Sequence, residues 1–194
     1  MAKDARYPVT LEIKYPDRDL NRLTSFFRCV TVIPAAIMLA LVSGEYGPFL
    51  FLPTLLMILI RRKYPRWWFD WNLNMARFSA RVAAYAGLLT DEFPSTEREQ
   101  AVRISIPYPD AQKDLLPAMP LVKWFLAIPH AVILVFLGIA GAFCVLIAWF
   151  AILFTGRYPR PLFDFVVGTG RWGLRVCAYA VLLVTDVYPP FSLK

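Results

Sequence analysis

The strongest constraint on this chain is that it repeats itself at a nearly constant spacing. VTLEIKYPD at residues 9–17 returns as VRISIPYPD at 102–110, an offset of 93. Arg28 and Pro34 in RCVTVIP correspond to Lys123 and Pro129 in KWFLAIP, an offset of 95. KYPRWWFDW (63–71) matches RYPRPLFDF (157–165), and ARFSARVAAYAGLLTDEFP (76–94) matches GRWGLRVCAYAVLLVTDVYP (170–189). Self-similarity over such a period is the signature of a repeated structural unit. The chain therefore reads as a first repeat at 1–94, a polar linker at 95–100 and a second repeat at 101–194.

Each repeat opens with apolar and polar residues in alternation, the pattern of a half-buried strand. Val9, Leu11 and Ile13 alternate with Thr10, Glu12 and Lys14, and Val102, Ile104 and Ile106 alternate with Arg103 and Ser105. Two repeats of equal orientation are related by a pseudo-twofold axis. The strands at 9–15 and 102–107 are then expected to pair antiparallel near it. Beyond the strands the chain is too apolar for an ordinary soluble domain. Charged residues make up 18% and hydrophobic residues 58%, where about 25% charged is usual. Mean hydropathy is +0.51. Apolar segments at about 24–42, 47–60, 121–138 and 141–155 predict two membrane hairpins, turning at SGEYGP and at the Gly138 to Gly141 stretch. A YPR turn follows each hairpin, then an amphipathic interfacial helix at about 68–89 and 162–184. The fold class is an all-α integral membrane protein of two tandem repeats, each a short cytoplasmic strand, a membrane helical hairpin and an amphipathic interfacial helix.

The amino terminus lacks the apolar core of a cleaved signal peptide, so the first apolar run reads as a retained segment. All 21 Lys and Arg avoid the hairpin tips, and the positive-inside rule then puts both termini, the strands and the YPR turns in the cytoplasm. Only about 14 apolar residues separate Arg28 from Ser43, roughly 21 Å of helix against a bilayer core of about 30 Å. Either Arg28 and Lys123 snorkel while the helices span, or the hairpins are re-entrant; the topology favours four spans. Pro34 and Pro129 predict matched kinks. His130, the single histidine, stands where the first repeat has Ala35 and reads as a packing residue. Cys29, Cys144 and Cys177 are too far apart for a metal motif and read as apolar fillers.

The candidate site lies on the amphipathic helices. Asp70, Asn74, Arg77 and Arg81 are spaced 4, 3 and 4 apart, as are Asp164, Gly168, Arg171 and Arg175, which stacks each set on one helical face. Tyr85 and Tyr179 follow one turn on. One reading is a solvated face turned to water and headgroups. The other is an anion site, in which the planar forks of Arg77, Arg81, Arg171 and Arg175 grip phosphate and Asp70 and Asp164 orient them. A net charge of +7 set beside apolar runs favours anionic lipid headgroups over nucleic acid. The four apolar segments hold no Asp or Glu, which leaves a pump without a proton relay. No nucleophile elbow, zincin, Walker or dinucleotide pattern occurs. No enzymatic activity, cofactor or metal is expected. Asp91 and Asp186, at helix ends near arginines, read as capping and ion-pairing residues.

RLTSFFRCVTVIP and PLVKWFLAIPH, followed by YPR-x-x-FD and R-x-x-x-R-x-x-AY, resemble a bacterial membrane-protein family known as domain of unknown function 4389. The resemblance implies a multi-pass protein of the bacterial inner (plasma) membrane built from tandem copies of this unit, and it brings no catalytic residues. The expected function is a non-enzymatic membrane scaffold or accessory subunit that associates with anionic lipids or a larger membrane complex. Its partners would be lipids and other membrane proteins or a second copy of itself. The alternative is a small transporter or channel with its pathway between the repeats.

Overall fold

The computed structural model describes residues 7–16, 19–43, 51–96, 98–116 and 118–194. At its centre, β1 (Thr10–Ile13) pairs antiparallel with β2 (Val102–Ser105), as the alternation predicts. Leu11 pairs with Ile104, and 104 − 11 is 93, the repeat offset of these segments. Each of these two residues thus faces its own counterpart. Thr10↔Ser105 and Glu12↔Arg103 are the same pair exchanged between the halves. A pseudo-twofold axis therefore relates the two strands and passes between Leu11 and Ile104. A two-stranded ribbon alone is marginal in water. Here Leu11, Val102 and Ile104 are buried beneath α5 (Arg66–Ala86) and α7 (Arg160–Ala180), which lie against β2 and β1 respectively.

Both helices are 21 residues long and start directly after the proline of a YPR turn, Pro65 or Pro159, held extended at the N-cap. A buried leucine in the left-handed region follows each, Leu88 (φ 62°) and Leu183 (φ 56°). The two halves also brace each other. Tyr15 donates to the Tyr158 carbonyl at 2.5 Å, and Tyr108 donates to the Tyr64 carbonyl. The guanidinium of Arg160 lies 4.8 Å from the Tyr15 ring, and that of Arg66 lies 4.8 Å from the Tyr108 ring. Each YPR turn thus holds the YPD tyrosine of the opposite half. The main core surrounds the sheet, with Val9, Leu11, Ile104, Ile58, Phe69, Ile152, Phe163 and Ala178 among its members.

The apolar segments depart from expectation. In the N-terminal half they form α1 (Arg22–Phe26), α2 (Arg28–Thr31), α3 (Ile33–Ser43) and α4 (Phe51–Arg61). Pro34 is the second residue of α3, a first-turn position that tolerates proline, whereas Pro129 lies within the long helix α6 (Met119–Thr155). The prolines are therefore not equivalent. The turn expected at Gly138 to Gly141 is absent, because α6 is helical across it for 37 residues, about 55 Å of helical rise. Among the described residues the one glycine with positive φ is Gly156 (φ 77°), and it caps α6. A left-handed glycine is what stops a helix, and Gly138 and Gly141 do not supply it. The C-terminal half thus has no hairpin at that point. The corresponding turn in the N-terminal half lies at 44–50, outside the described residues.

Among the described helices α6 alone is long and apolar enough to cross a membrane, and α4 and the stretch Arg28–Ser43 are shorter apolar helices. Phe136, Phe143 and Phe154 on α6 are 68%, 62% and 79% exposed.

Candidate functional site: arginine stripes and buried cation clamps

Arg77 and Arg81 lie on α5 and Arg171 and Arg175 on α7, and their surroundings differ. On α5, Arg81 donates to the Ser95 carbonyl at 2.5 Å and Arg77 to Asn74 Oδ1 at 3.4 Å. Both line a cavity of about 580 Å³ between α5, the outer face of the sheet and the linker, together with Arg98, Arg103, Glu12 and Glu99. Glu99 pairs with Arg103 at 3.6 Å on the surface. On α7 the chain itself fills the equivalent space. Arg171 donates to the Leu11 carbonyl at 3.0 Å, and Arg175 donates to the carbonyls of Ser192 and Lys194. Burial, and then the neighbouring Arg171, lowers the proton affinity of Arg175.

The orienting role expected of Asp70 and Asp164 does not appear. Asp70 faces Arg66 at 3.8 Å, and Asp164 is exposed. Asp70 lies one turn from Arg66 but seven residues from Arg77, about 10 Å along the axis and beyond side-chain contact.

A second arrangement is more deeply buried. Arg28 pairs with Asp91 at 2.5 Å and Lys123 with Asp186 at 2.7 Å, with the cations 3% and 0% exposed. The pairs are equivalent, since 123 − 28 and 186 − 91 are both 95. Arg28 also donates to the Thr90 carbonyl at 3.1 Å, and Lys123 to the Thr185 carbonyl at 2.8 Å. Each cation stacks on a tyrosine ring, Tyr85 at 4.0 Å and Tyr179 at 5.1 Å. The second aspartate oxygen accepts a backbone N–H, from Asn21 at 2.8 Å or Leu116 at 2.7 Å. Charges out of water need such partners. Arg28 and Lys123 therefore do not snorkel to a lipid boundary; they tie the start of an apolar helix to the loop after α5 or α7. Opposite charges recurring at one offset of 95 were the available signal.

The first apolar helix of each half packs along the amphipathic helix of that half. Ala35 meets Phe78 and Val82. At the equivalent place His130 is fully buried, accepts from Trp172 Nε1 at Nδ1 (3.0 Å) and stacks on Phe191 with ring centroids 3.9 Å apart. Between α5 and α7 lies an open, largely apolar cleft of about 440 Å³, floored by Leu11 and Ile104 and walled by Met75, Ala80, Val166 and Leu174. Among the described residues no group of His, Cys, Asp or Glu could hold a metal ion.

Residues 120–192 match the family model of a domain of unknown function (DUF4389). That segment carries Lys123, His130, the second YPR turn, α7 and Asp186, so the resemblance read from the motifs holds for the C-terminal half. No curated protein and no solved structure matches the chain.

Proposed function

We propose that the protein is a non-enzymatic, multi-pass scaffold or accessory subunit of the bacterial inner membrane. The carrying observation is α6, a span-length helix whose most apolar window is only 11% buried by the rest of the protein. Large continuous apolar surfaces mark a membrane or protein contact. The exposed apolar faces of α3 and α4 join that of α6 against the bilayer, and the sheet with the polar stripes of α5 and α7 forms a charged layer at its surface. In that layer the cavity holding Arg77, Arg81, Arg98 and Arg103 takes an anionic group, while Arg171 and Arg175 are engaged by the chain's own carbonyls. The apolar lining of the cleft between α5 and α7 favours a scaffold over a transporter, whose pathway would need polar groups facing each other there.

The orientation is tested by cysteines placed at Ser43 and Thr96 in sealed vesicles. Labelling from opposite faces is expected, and labelling of both from one face overturns the multi-pass arrangement. The anion cavity is tested by Arg77 and Arg81 substitutions read by lipid retention in native mass spectrometry. A shaped site loses as much with Arg→Lys as with Arg→Ala, because the bidentate fork is gone in both.

A further inference from the structure

The turn between α4 and α5 carries Arg61, Arg62, Lys63 and Arg66, all exposed, with Trp67 68% exposed beside them. Among the described residues Arg61, Arg62 and Lys63 make no ion pair, while Arg66 lies 3.8 Å from Asp70 and 4.8 Å from the ring of Tyr108. The C-terminal half, at an offset of 94, has Thr155, Gly156, Arg157 and Arg160 in these places. It ends its apolar helix without a cation at the first two, so a helix end of this kind does not require them.

Arg62 is also strained. Its φ is 48°, in the left-handed region where its counterpart Gly156 sits at 77°. A side chain with a Cβ costs about 1–2 kcal/mol in that conformation, and glycine removes the cost. Strain retained where the other half avoids it points to a use for the side chain.

The C-terminal half also shows what such a turn holds. Asp19 Oδ1 lies 2.8 Å from Arg157 Nε, and a Cβ built on Gly156 would come within 3.4 Å of the Asp19 side chain. A carboxylate of the chain thus occupies that turn. In the N-terminal half the corresponding space is a cavity of about 640 Å³, lined by Arg62, Lys63, Tyr108, Asp110 and Asp114. Its two carboxylates serve their own loop. Asp114 accepts from the Asp110 N–H at 2.9 Å, and Asp110 accepts from the Gln112 N–H at 3.0 Å and pairs with Lys113 at 3.6 Å.

We propose that this turn of the N-terminal half binds the phosphate of an anionic phospholipid headgroup through Arg61, Arg62 and Lys63, with Trp67 seated at the lipid boundary. The inference rests on the membrane reading above and is separate from the cavity of Arg77 and Arg81. A lipid is favoured over a free phosphate because the cations directly follow an apolar helix, Phe51–Arg61, the setting in which basic clusters recognise anionic leaflets. Exposed tryptophan at the same level is the usual interfacial anchor.

The test uses the full chain in detergent, probed by retention of phosphatidylglycerol against phosphatidylcholine, with inorganic phosphate as competitor. Each lost cation should weaken phosphatidylglycerol retention roughly fivefold, and Arg61→Gln, Arg62→Gln and Lys63→Gln together on the order of a hundredfold. Arg62→Gly alone should weaken retention about fivefold while its thermal midpoint holds or rises, a combination that general damage does not produce. Arg157→Gln should leave retention unchanged. A triple variant that retains phosphatidylglycerol like the wild type overturns the proposal. So does displacement of the lipid by inorganic phosphate, or loss confined to Arg77→Gln and Arg81→Gln. A parallel flotation of the wild type with phosphatidylglycerol or phosphatidylcholine vesicles tests the membrane reading: if it floats with neither, that reading fails, a result distinct from a failure of the turn alone.

Discussion

The two halves solve one packing problem with different chemistry. Both seat a cation against an aspartate, a carbonyl and a tyrosine ring, but the N-terminal half uses Arg28 and the C-terminal half Lys123. Arginine presents a planar fork that spans the carbonyl and the carboxylate with separate nitrogens, whereas lysine serves both from one ammonium. Both halves pack an apolar helix on an amphipathic one. The N-terminal half does so with Ala35 against Phe78, the C-terminal half with His130 hydrogen-bonded to Trp172. A buried imidazole needs a partner, and the indole N–H in the position of Phe78 supplies it. The frame is fixed by backbone geometry. What fills it is exchangeable only in matched pairs.

The largest effect should come from breaking a clamp. Asp186→Ala leaves the Lys123 ammonium buried without its counter-ion and should cost roughly 3–5 kcal/mol, read as a fall in thermal midpoint. Each cation keeps its carbonyl bond, but Asp91→Ala should cost less, because Arg28 lies closer to its tyrosine ring, at 4.0 Å against 5.1 Å for Lys123. Equal losses would mean that the fork and the point charge are interchangeable here. Replacing Lys123 by Met together with Asp186 by Leu should recover most of the loss, since no charge then remains to be compensated.

Next in size is the His130 pair. Trp172→Phe installs the residue of the N-terminal half but strands Nδ1, at a cost of about 1–2 kcal/mol. Adding His130→Ala should cost less than the two single losses summed, with a coupling of about 1 kcal/mol in a double-mutant cycle. Strict additivity would show that the two are not a unit.

Smaller still is the contrast between the stripes. Arg171→Ala frees the Leu11 carbonyl of β1 and should cost about 1–2 kcal/mol. Arg77→Ala, at the equivalent position, removes one long contact to Asn74 and should stay within about 0.5 kcal/mol. A large loss at Arg77 would remove the distinction between an engaged stripe and an open one.

The mildest probe leaves the fold untouched. Burial pushes the Cys177 thiol up to about 11. At pH 8 only about one molecule in a thousand then carries the reactive thiolate, and its alkylation should speed up about tenfold per pH unit. Cys29 is exposed and should react much faster at pH 8. Cys177 is half-buried at the edge of the cleft, and equal rates would show that burial does not hold its thiol up.

The sheet and its register were legible because alternation of Leu11 and Ile104 with polar neighbours fixes which face is buried, and the repeat offset then fixes the pairing. α5 and α7 were legible to within a few residues from the stripe and from the prolines that precede them. The break between Phe27 and Ile33 was not, since apart from Arg28 and Thr31 that run is apolar and its periodicity marks no interruption. The Gly138 turn failed for a related reason. Glycine permits a left-handed residue without requiring one, and the flanking run holds no proline or polar turn residue that would end the helix. At the site, Arg77 and Arg81 lie on α5 and Arg171 and Arg175 on α7. The partners of Arg171 and Arg175 come from segments 17 to 160 residues away, and no local pattern could reveal them. The clamps were visible only as charges recurring at a shared offset.

The pairing of Leu11 with Ile104 also sets a clock on synthesis. The ribosome must add 93 further residues, from Leu11 to Ile104, before β1 meets its partner, and at about 5–20 residues per second that takes on the order of 5–20 s. Through that interval the N-terminal strand has emerged with an open edge, and Tyr15 waits longer still for the Tyr158 carbonyl. An open strand edge invites pairing with other chains. The nascent chain therefore spends its most exposed seconds with both cross-braces unmade, and the N-terminal half cannot close until most of the C-terminal half exists.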